Sequence, residues 1–248
     1  MKTLSEKNEC VLCKSPFSTV LQPAEGRTFY AIPCSSCTSK VPIRAGDPVR
    51  IALRDALGLS GLSLAHALQE ALVNCPCGGT FSHDAGGRCP ECIAKIERES
   101  KYSTPHQVAT IWNVEKLQKW QDKLFAYILE KLETREETLA QLIEKFESGE
   151  IDTEQYMNGI DTIQRREFAQ ICAIQAWTMM QDPESAFRAA EELGLVERYG
   201  TRIMVSIASA LEMSTGLSVI TTLSKEVENW DDPVKHELKR FLSKNGVG

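Results

Sequence analysis

The stretch Asn74-Cys75-Pro76-Cys77-Gly78-Gly79-Thr80-Phe81-Ser82-His83-Asp84-Ala85-Gly86-Gly87-Arg88-Cys89-Pro90-Glu91-Cys92 places four thiols in two tight pairs across a short loop. Upstream, Cys10-Val11-Leu12-Cys13 and Cys34-Ser35-Ser36-Cys37 repeat the plan with a wider gap, so eight of the nine cysteines fall into two sets of four. Pairs at this spacing let two sulfurs converge on one ion from a tight turn. Nine thiols cannot all pair as disulfides within one chain, and thiols kept reduced bind metal. The expectation is two structural zinc ions, held in sequence order by Cys10, Cys13, Cys34 and Cys37, and by Cys75, Cys77, Cys89 and Cys92. Iron in a rubredoxin-like site stays open, as does ligand exchange between the sets, with Cys10 and Cys13 joining Cys75 and Cys77.

The chain has 248 residues, a hydrophobic fraction of 42% and a formal net charge of -6. That is enough apolar material for a packed core in one or two domains. No run approaches the ~20 apolar residues of a membrane span, and the residues through Glu9 lack the apolar centre of a secretory signal, so a cytoplasmic protein with no membrane partner is expected. Charge divides unevenly, +2 over residues 1–105 and -8 over residues 106–248. Four thiolates on one divalent ion add a further -2 at each site, so metal uptake makes the chain more acidic. That argues against general affinity for phosphate backbones, which relies on a basic face.

Between the first two cysteine pairs, Phe17–Leu21 and Thr28–Ile32 are rich in β-branched and aromatic residues, and Gln22-Pro23-Ala24-Glu25-Gly26-Arg27 supplies turn chemistry. This predicts a hairpin joining the two. The combination of knuckle, hairpin and knuckle over residues 9–44 resembles the zinc-ribbon superfamily, and residues 74–96 resemble its shortest form. Lys14 and Thr38 depart from the commonest pattern, in which glycine follows the second cysteine. In the second set, Gly78 and Gly79 permit close backbone approach to a sulfur, and Phe81 is the one large apolar residue available to pack. His83 is a candidate substitute ligand only in a set already complete with four thiols.

Asp47-Pro48 is a good helix start and Gly58 a stop. A second helix is predicted over 63–73 from the stripe Leu64, Ala67, Leu68, Ala71 and Leu72, the two packing as a helical hairpin between the metal sites. From residue 103 the pattern is helical. Val114, Leu117, Leu124, Ile128, Leu132, Leu139, Leu142 and Phe146 predict one amphipathic helix over 113–148, bent or solvated at its polar middle, Glu133–Glu137. Asp152 with Gln155 forms a capping box, so residues 113–181 are expected to make an antiparallel helical hairpin. Residues 139–168 are weakly similar to the SHOCT unit of two short helices around a Gly-x-Ile corner, which implies an interaction or oligomerisation role. Asp182-Pro183 opens a helix to about Leu195, followed by helices over 202–212, 217–229 and 233–244. The expected fold class is α+β, mostly α: a first ribbon over 1–46, a helical spacer over 47–73, a second ribbon over 74–102, and a helical domain over 103–248 with its bundle at 183–244.

Both cysteine sets offer four thiolates, whereas catalytic zinc keeps an open position. Cys172 sits between Ile171 and Ile174 on an apolar helix and reads as a buried, inert thiol. His66, His83, His106 and His236 are scattered, and no nucleotide-binding or hydrolase motif is present. A non-enzymatic adaptor is therefore expected, its ribbons and acidic helices docking a protein partner, with self-association through the helical hairpin as a minor expectation. The alternative is a nucleic-acid-binding or transcription-related factor using Lys40, Arg44, Arg50 and Arg54 beside Phe29 and Tyr30.

Overall fold

The fold was taken from a computed structural model that describes residues 4–21, 29–99, 111–134, 137–200 and 202–215. It is mostly helical, with a small antiparallel β component at the N-terminal end. Two compact units divide the chain. Residues 1–50 and 59–117 form the first, and residues 51–58 and 118–248 the second.

In the first unit, β1 (Leu4–Glu9) pairs antiparallel with β2 (Pro16–Leu21), and β3 (Phe29–Pro33) with β4 (Lys40–Arg44). The hairpin expected between Phe17–Leu21 and Thr28–Ile32 is thus replaced. Among the described residues each of those strands pairs across its neighbouring cysteine knuckle instead. The two hairpins share one register: Glu9 lies opposite Pro16 with Cys10 N–H donating to Ser15 O (2.9 Å), and Pro33 lies opposite Lys40 with Cys34 N–H donating to Ser39 O (2.8 Å). A knuckle closes its own hairpin with backbone bonds only five residues apart in sequence, so it outcompetes the longer turn at 22–27. That turn itself lies outside the described residues.

β4 alternates, with Val41 and Ile43 buried and Lys40, Pro42 and Arg44 exposed. Asp47 caps α1 (Pro48–Ile51) as expected, its Oδ1 accepting from Val49 N–H at 3.0 Å. Helix α2 (Gly61–Ala71) buries the predicted stripe Leu64, Ala67, Leu68 and Ala71. Residues 111–113 then pair with the end of α2, Asn113 N–H donating to Ala71 O (2.8 Å) and Val73 N–H to Ile111 O (3.0 Å). This seats Trp112 in the core, 2% exposed, with its indole N–H on Asp47 Oδ2 at 3.3 Å. Helices α3 (Pro90–Glu99) and α4 (Val114–Leu117) complete the unit.

The expected helical hairpin over 47–73 is not formed. After α1 the chain widens into a π-helical turn over Ala52–Ala56 that packs on α7 (Thr153–Thr178) in the second unit, with Ala52 and Leu53 buried. The run of alanine and leucine at 51–57 is apolar on several sides, and the long helix offers it a larger apolar surface than an eleven-residue partner does.

The second unit is built around α7, packed by α5 (Gln121–Glu133), α6 (Leu139–Glu147) and α10 (Arg202–Thr215). The single helix expected over 113–148 is divided. A short 3-10 turn at Gln118–Trp120 precedes α5, and the chain leaves helix at Thr134 and restarts at Thr138, whose side chain caps Gln141 N–H. The polar middle has no apolar face to bury, so nothing offsets the cost of continuing the helix through it. Asp152 and Gln155 form the expected capping box of α7. Gly159 is required where α6 crosses α7, because a Cβ there would lie 2.6 Å from Leu142 Cδ1. Cys172 is 1% exposed, in a core that includes Ile174 and Trp177, the latter stacked on Phe125 with ring centroids 5.3 Å apart. Asp182 caps α8 (Pro183–Glu192), shorter than expected, and α9 (Leu195–Tyr199) follows. The helices expected over 217–229 and 233–244 lie outside the described residues, as do His106 and His236. No helix among the described residues is long and apolar enough to cross a membrane.

Candidate metal centre

All eight paired cysteines converge in the first unit, in two groups of four. Cys10 and Cys13 meet Cys89 and Cys92, and Cys34 and Cys37 meet Cys75 and Cys77, with the sulfurs of each group within 4.8 Å of one another. This corrects the sequential assignment. It is also not the exchange held open as its alternative, which joined Cys10 and Cys13 to Cys75 and Cys77. The sites are nested: the inner one closes residues 34–77, and the outer one closes residues 10–92 around it.

Backbone pairing explains the nesting. Phe81, 4% exposed, forms a β-bridge with Cys34, flanked by Ser35 N–H to Thr80 O (2.7 Å) and Ser82 N–H to Pro33 O (2.9 Å). These bonds lay the 79–82 segment beside the second knuckle and carry Cys75 and Cys77 with it. On the other side, Val11 N–H donates to Gly87 O at 2.7 Å, which brings the loop before Cys89 against the first knuckle. Spacing within a pair shows which two sulfurs share an ion. It does not show which pairs meet.

Each inner pair lies in a tight turn that aims amides at sulfur: Ser36 N–H on Cys34 Sγ (3.3 Å), Ser39 N–H on Cys37 Sγ and Gly79 N–H on Cys77 Sγ (both 3.4 Å). Such bonds favour the thiolate. The expectation for the glycine pair is met at Gly79, where a Cβ would lie 2.8 Å from Cys34 Sγ and 2.6 Å from Ser36 Oγ, while Gly78 takes the left-handed turn at φ +87°. In the outer site Lys14, following Cys13, is held at φ +61°, the one non-glycine with positive φ among the described residues. The remaining outer ligands sit at a helix start, Cys89 just before Pro90 and Cys92 in the first turn of α3. Free amides at a helix N-terminus stabilise negative sulfur there.

The sulfur spacing suits a tetrahedral ion. A metal–sulfur distance near 2.3 Å sets sulfurs about 3.8 Å apart, and Cys13–Cys89 stand at 3.6 Å, Cys34–Cys77 at 3.5 Å and Cys37–Cys75 at 3.6 Å. The thiols also titrate apart. Burial pushes Cys10 up, but the amides of Cys13, Cys89 and Leu12 outweigh it and bring the thiol to about 6. Cys92, crowded first by Cys13 and then by burial, is pushed up to about 12. In the inner site burial opposes and Ser39 favours ionisation of Cys37, which settles at about 7, whereas burial raises Cys34 and Cys75. Four sulfurs this close cannot all ionise without a cation among them, and a divalent ion removes that obstacle. The donor set therefore fits two metal ions.

One residue outside the predicted ligands belongs to this centre. Arg88, 7% exposed, precedes the outer ligand Cys89 and turns its guanidinium onto the inner knuckle, Nη2 donating to the carbonyls of Cys34 (2.8 Å) and Ser35, and Nη1 to Cys37 O (3.1 Å). Its Nε has no hydrogen-bond partner among the described residues. The -2 of a four-thiolate site favours a cation buried beside it. The sequence signal was an arginine inside a glycine-rich turn directly before a ligand.

Other candidates fall elsewhere. His83 is outside both groups, its Nδ1 2.6 Å from Gln69 Oε1 and its ring edge-on to His66. Lys40 and Arg44 share the exposed face of β4, and Arg50 donates to Ala45 O at 2.6 Å. Arg54 belongs to the second unit and is paired with Asp55 (2.6 Å).

Residues 6–98 match the family model of a domain of unknown function (DUF8255). The matched span runs from β1 through nearly all of α3 and encloses all eight paired cysteines. No curated protein and no solved structure matches the chain.

Proposed function

We propose that the chain is a zinc-binding, non-catalytic adaptor, in which two structural ions shape a rigid module for a protein partner and the acidic helical unit offers a second docking surface. The observation that carries this reading is the closure of both sites: each ion receives four cysteine sulfurs, which leaves no position for water or substrate. Sulfur ligands on a tetrahedron with no redox partner suit zinc, and such ions replace the apolar core that a small module lacks.

Metal binding by these eight cysteines requires reduced thiols, which supports a reducing compartment such as the cytoplasm. The nucleic-acid alternative rests on Lys40, Arg44, Arg50 and Arg54, of which Lys40 and Arg44 share an exposed strand face. The test combines elemental analysis with affinity purification of the full chain from its own cells. Two zinc ions per chain, and a partner lost on Cys75→Ser with Cys77→Ser, are expected. A partner retained by that variant, or salt-dependent retention of DNA or RNA in place of protein, defeats the adaptor reading.

A further inference from the structure

The nested ligand order has a consequence for how the sites fill. The outer cross-pair Cys13–Cys89 is separated by 76 residues, while the inner cross-pairs Cys37–Cys75 and Cys34–Cys77 are separated by 38 and 43. Once the inner site is closed, the outer knuckles are joined through it by only residues 14–33 and 78–88. The effective loop then falls to about 33 residues, and the three-halves power of loop length makes outer closure about three- to fourfold more favourable.

Arg88 adds a direct mechanical link. Its backbone places the outer ligand Cys89, and its guanidinium holds the carbonyls of the inner ligands Cys34 and Cys37 together with that of Ser35. Those carbonyls converge only when the inner knuckle is formed. Val11 N–H on Gly87 O, one residue before Arg88, ties the first knuckle to the same turn.

We infer that Arg88 is a positioning residue that couples the two metal sites, so that the outer site assembles on the filled inner one. The inference rests on the reading that both groups bind metal. Arg88 touches no ion: it acts by setting where Cys89 stands relative to the inner knuckle. A guanidinium fork spans three carbonyls, and a lysine ammonium at the same place does not match that geometry.

The test is cobalt(II) titration of the full metal-free chain under reducing conditions, read by thiolate-to-cobalt absorption, with affinities fixed by competition against a chelator. Cys13→Ser with Cys92→Ser leaves the inner site, which should keep the affinity of the first step of the unsubstituted chain. Cys34→Ser with Cys77→Ser leaves the outer site, whose affinity should fall more than tenfold below the second step, since both the shortened loop and the Arg88 contact are lost. Arg88→Met should weaken the second step tenfold or more in the intact chain, but change outer affinity less than twofold when the inner site is removed. If Arg88→Met takes up no cobalt, Arg88→Lys carries the same comparison, with a loss of threefold or more expected. Equal effects of the Arg88 substitution in both backgrounds, or an outer site indifferent to loss of the inner one, overturn the coupling alone. An unsubstituted chain that takes up no cobalt overturns the metal reading as well.

Discussion

Gly79→Ala tests the inner site at its tightest contact. The added methyl would stand 2.6 Å from Ser36 Oγ, 2.8 Å from Ser36 Cβ and 2.8 Å from Cys34 Sγ. Ordinary contact begins near 3.4 Å, so the knuckle must retreat by about 0.6–0.8 Å, whereas metal–ligand distances tolerate only about 0.2 Å. Overpacking of this size costs about 1–3 kcal/mol, a roughly 5- to 150-fold loss of inner-site affinity at 1.4 kcal/mol per factor of ten. The neighbouring glycine separates this effect from backbone strain. Gly78 has φ +87° with open space around its missing side chain, so Gly78→Ala costs only about 1–2 kcal/mol of left-handed strain and leaves sulfur positions alone. Chelator competition on both variants, with metal content measured at each step, should show the inner site weakened in both, with Ser36→Gly restoring affinity only in Gly79→Ala. Ser36→Gly combined with Gly79→Ala removes two of the three close contacts and should restore part of the loss. Two sites of unchanged affinity in Gly79→Ala would show that the 79–82 segment does not lie against the second knuckle, and the nested pairing would fall with it.

Four further outcomes follow from the same geometry. Lys14→Gly relieves the φ +61° conformation and should raise thermal stability of the metal-loaded chain by about 1 kcal/mol, whereas Lys14→Val should lower it; a melting series checks both. Because Cys13 is exposed while three of the inner ligands are buried, excess chelator should draw off the outer ion first, and the fast phase should vanish in Cys13→Ser with Cys92→Ser. Burial raises the Asp47 carboxyl above its ordinary value, against the Arg50 amide, the Trp112 indole and the Val49 amide. The folded state therefore binds that proton more readily than the unfolded one, and this group's contribution to stability falls as pH rises from its unfolded value through its folded one. Asp47→Asn keeps an N-cap acceptor, so it should be neutral or stabilising at pH 7 and should flatten the fall of denaturation midpoints as pH rises above the ordinary carboxyl value by about one group's worth. Gly159→Ala, which would drive a methyl to 2.6 Å from Leu142 Cδ1, should destabilise the second unit by about 1–3 kcal/mol in a circular-dichroism melt while leaving metal content unchanged.

What the sequence made legible was local. Asp47, Asp152 and Asp182 each cap the helix expected of them, since capping depends on residues three apart. The α2 stripe was readable because helical periodicity is also local, and the eight ligands because each cysteine pair spans only three or four residues. The errors share the opposite character. The division of 113–148 depended on what the polar middle had to pack against, and the destination of residues 51–58 on a helix that begins a hundred residues later. Ligand pairing depended on bonds from Val11 to Gly87 and from Ser35 to Thr80, which no spacing rule reports.

A signal for the nesting was nonetheless present in the types of the four pairs. Cys10–Cys13 and Cys34–Cys37 have the same spacing, 24 residues apart, and close the same hairpin in the same register. The downstream pairs differ from them and from each other, one a Cys-Pro-Cys turn with glycines behind it, the other a helix start with proline at its first position. Two like hairpins and two unlike turns make two metal sites of one plan only if each hairpin takes one turn. Which turn goes to which hairpin is then set by the short linker 78–88. It runs beside the second knuckle through Phe81 before it reaches the first at Gly87, and so delivers the nearer pair to the inner site and the farther pair to the outer one.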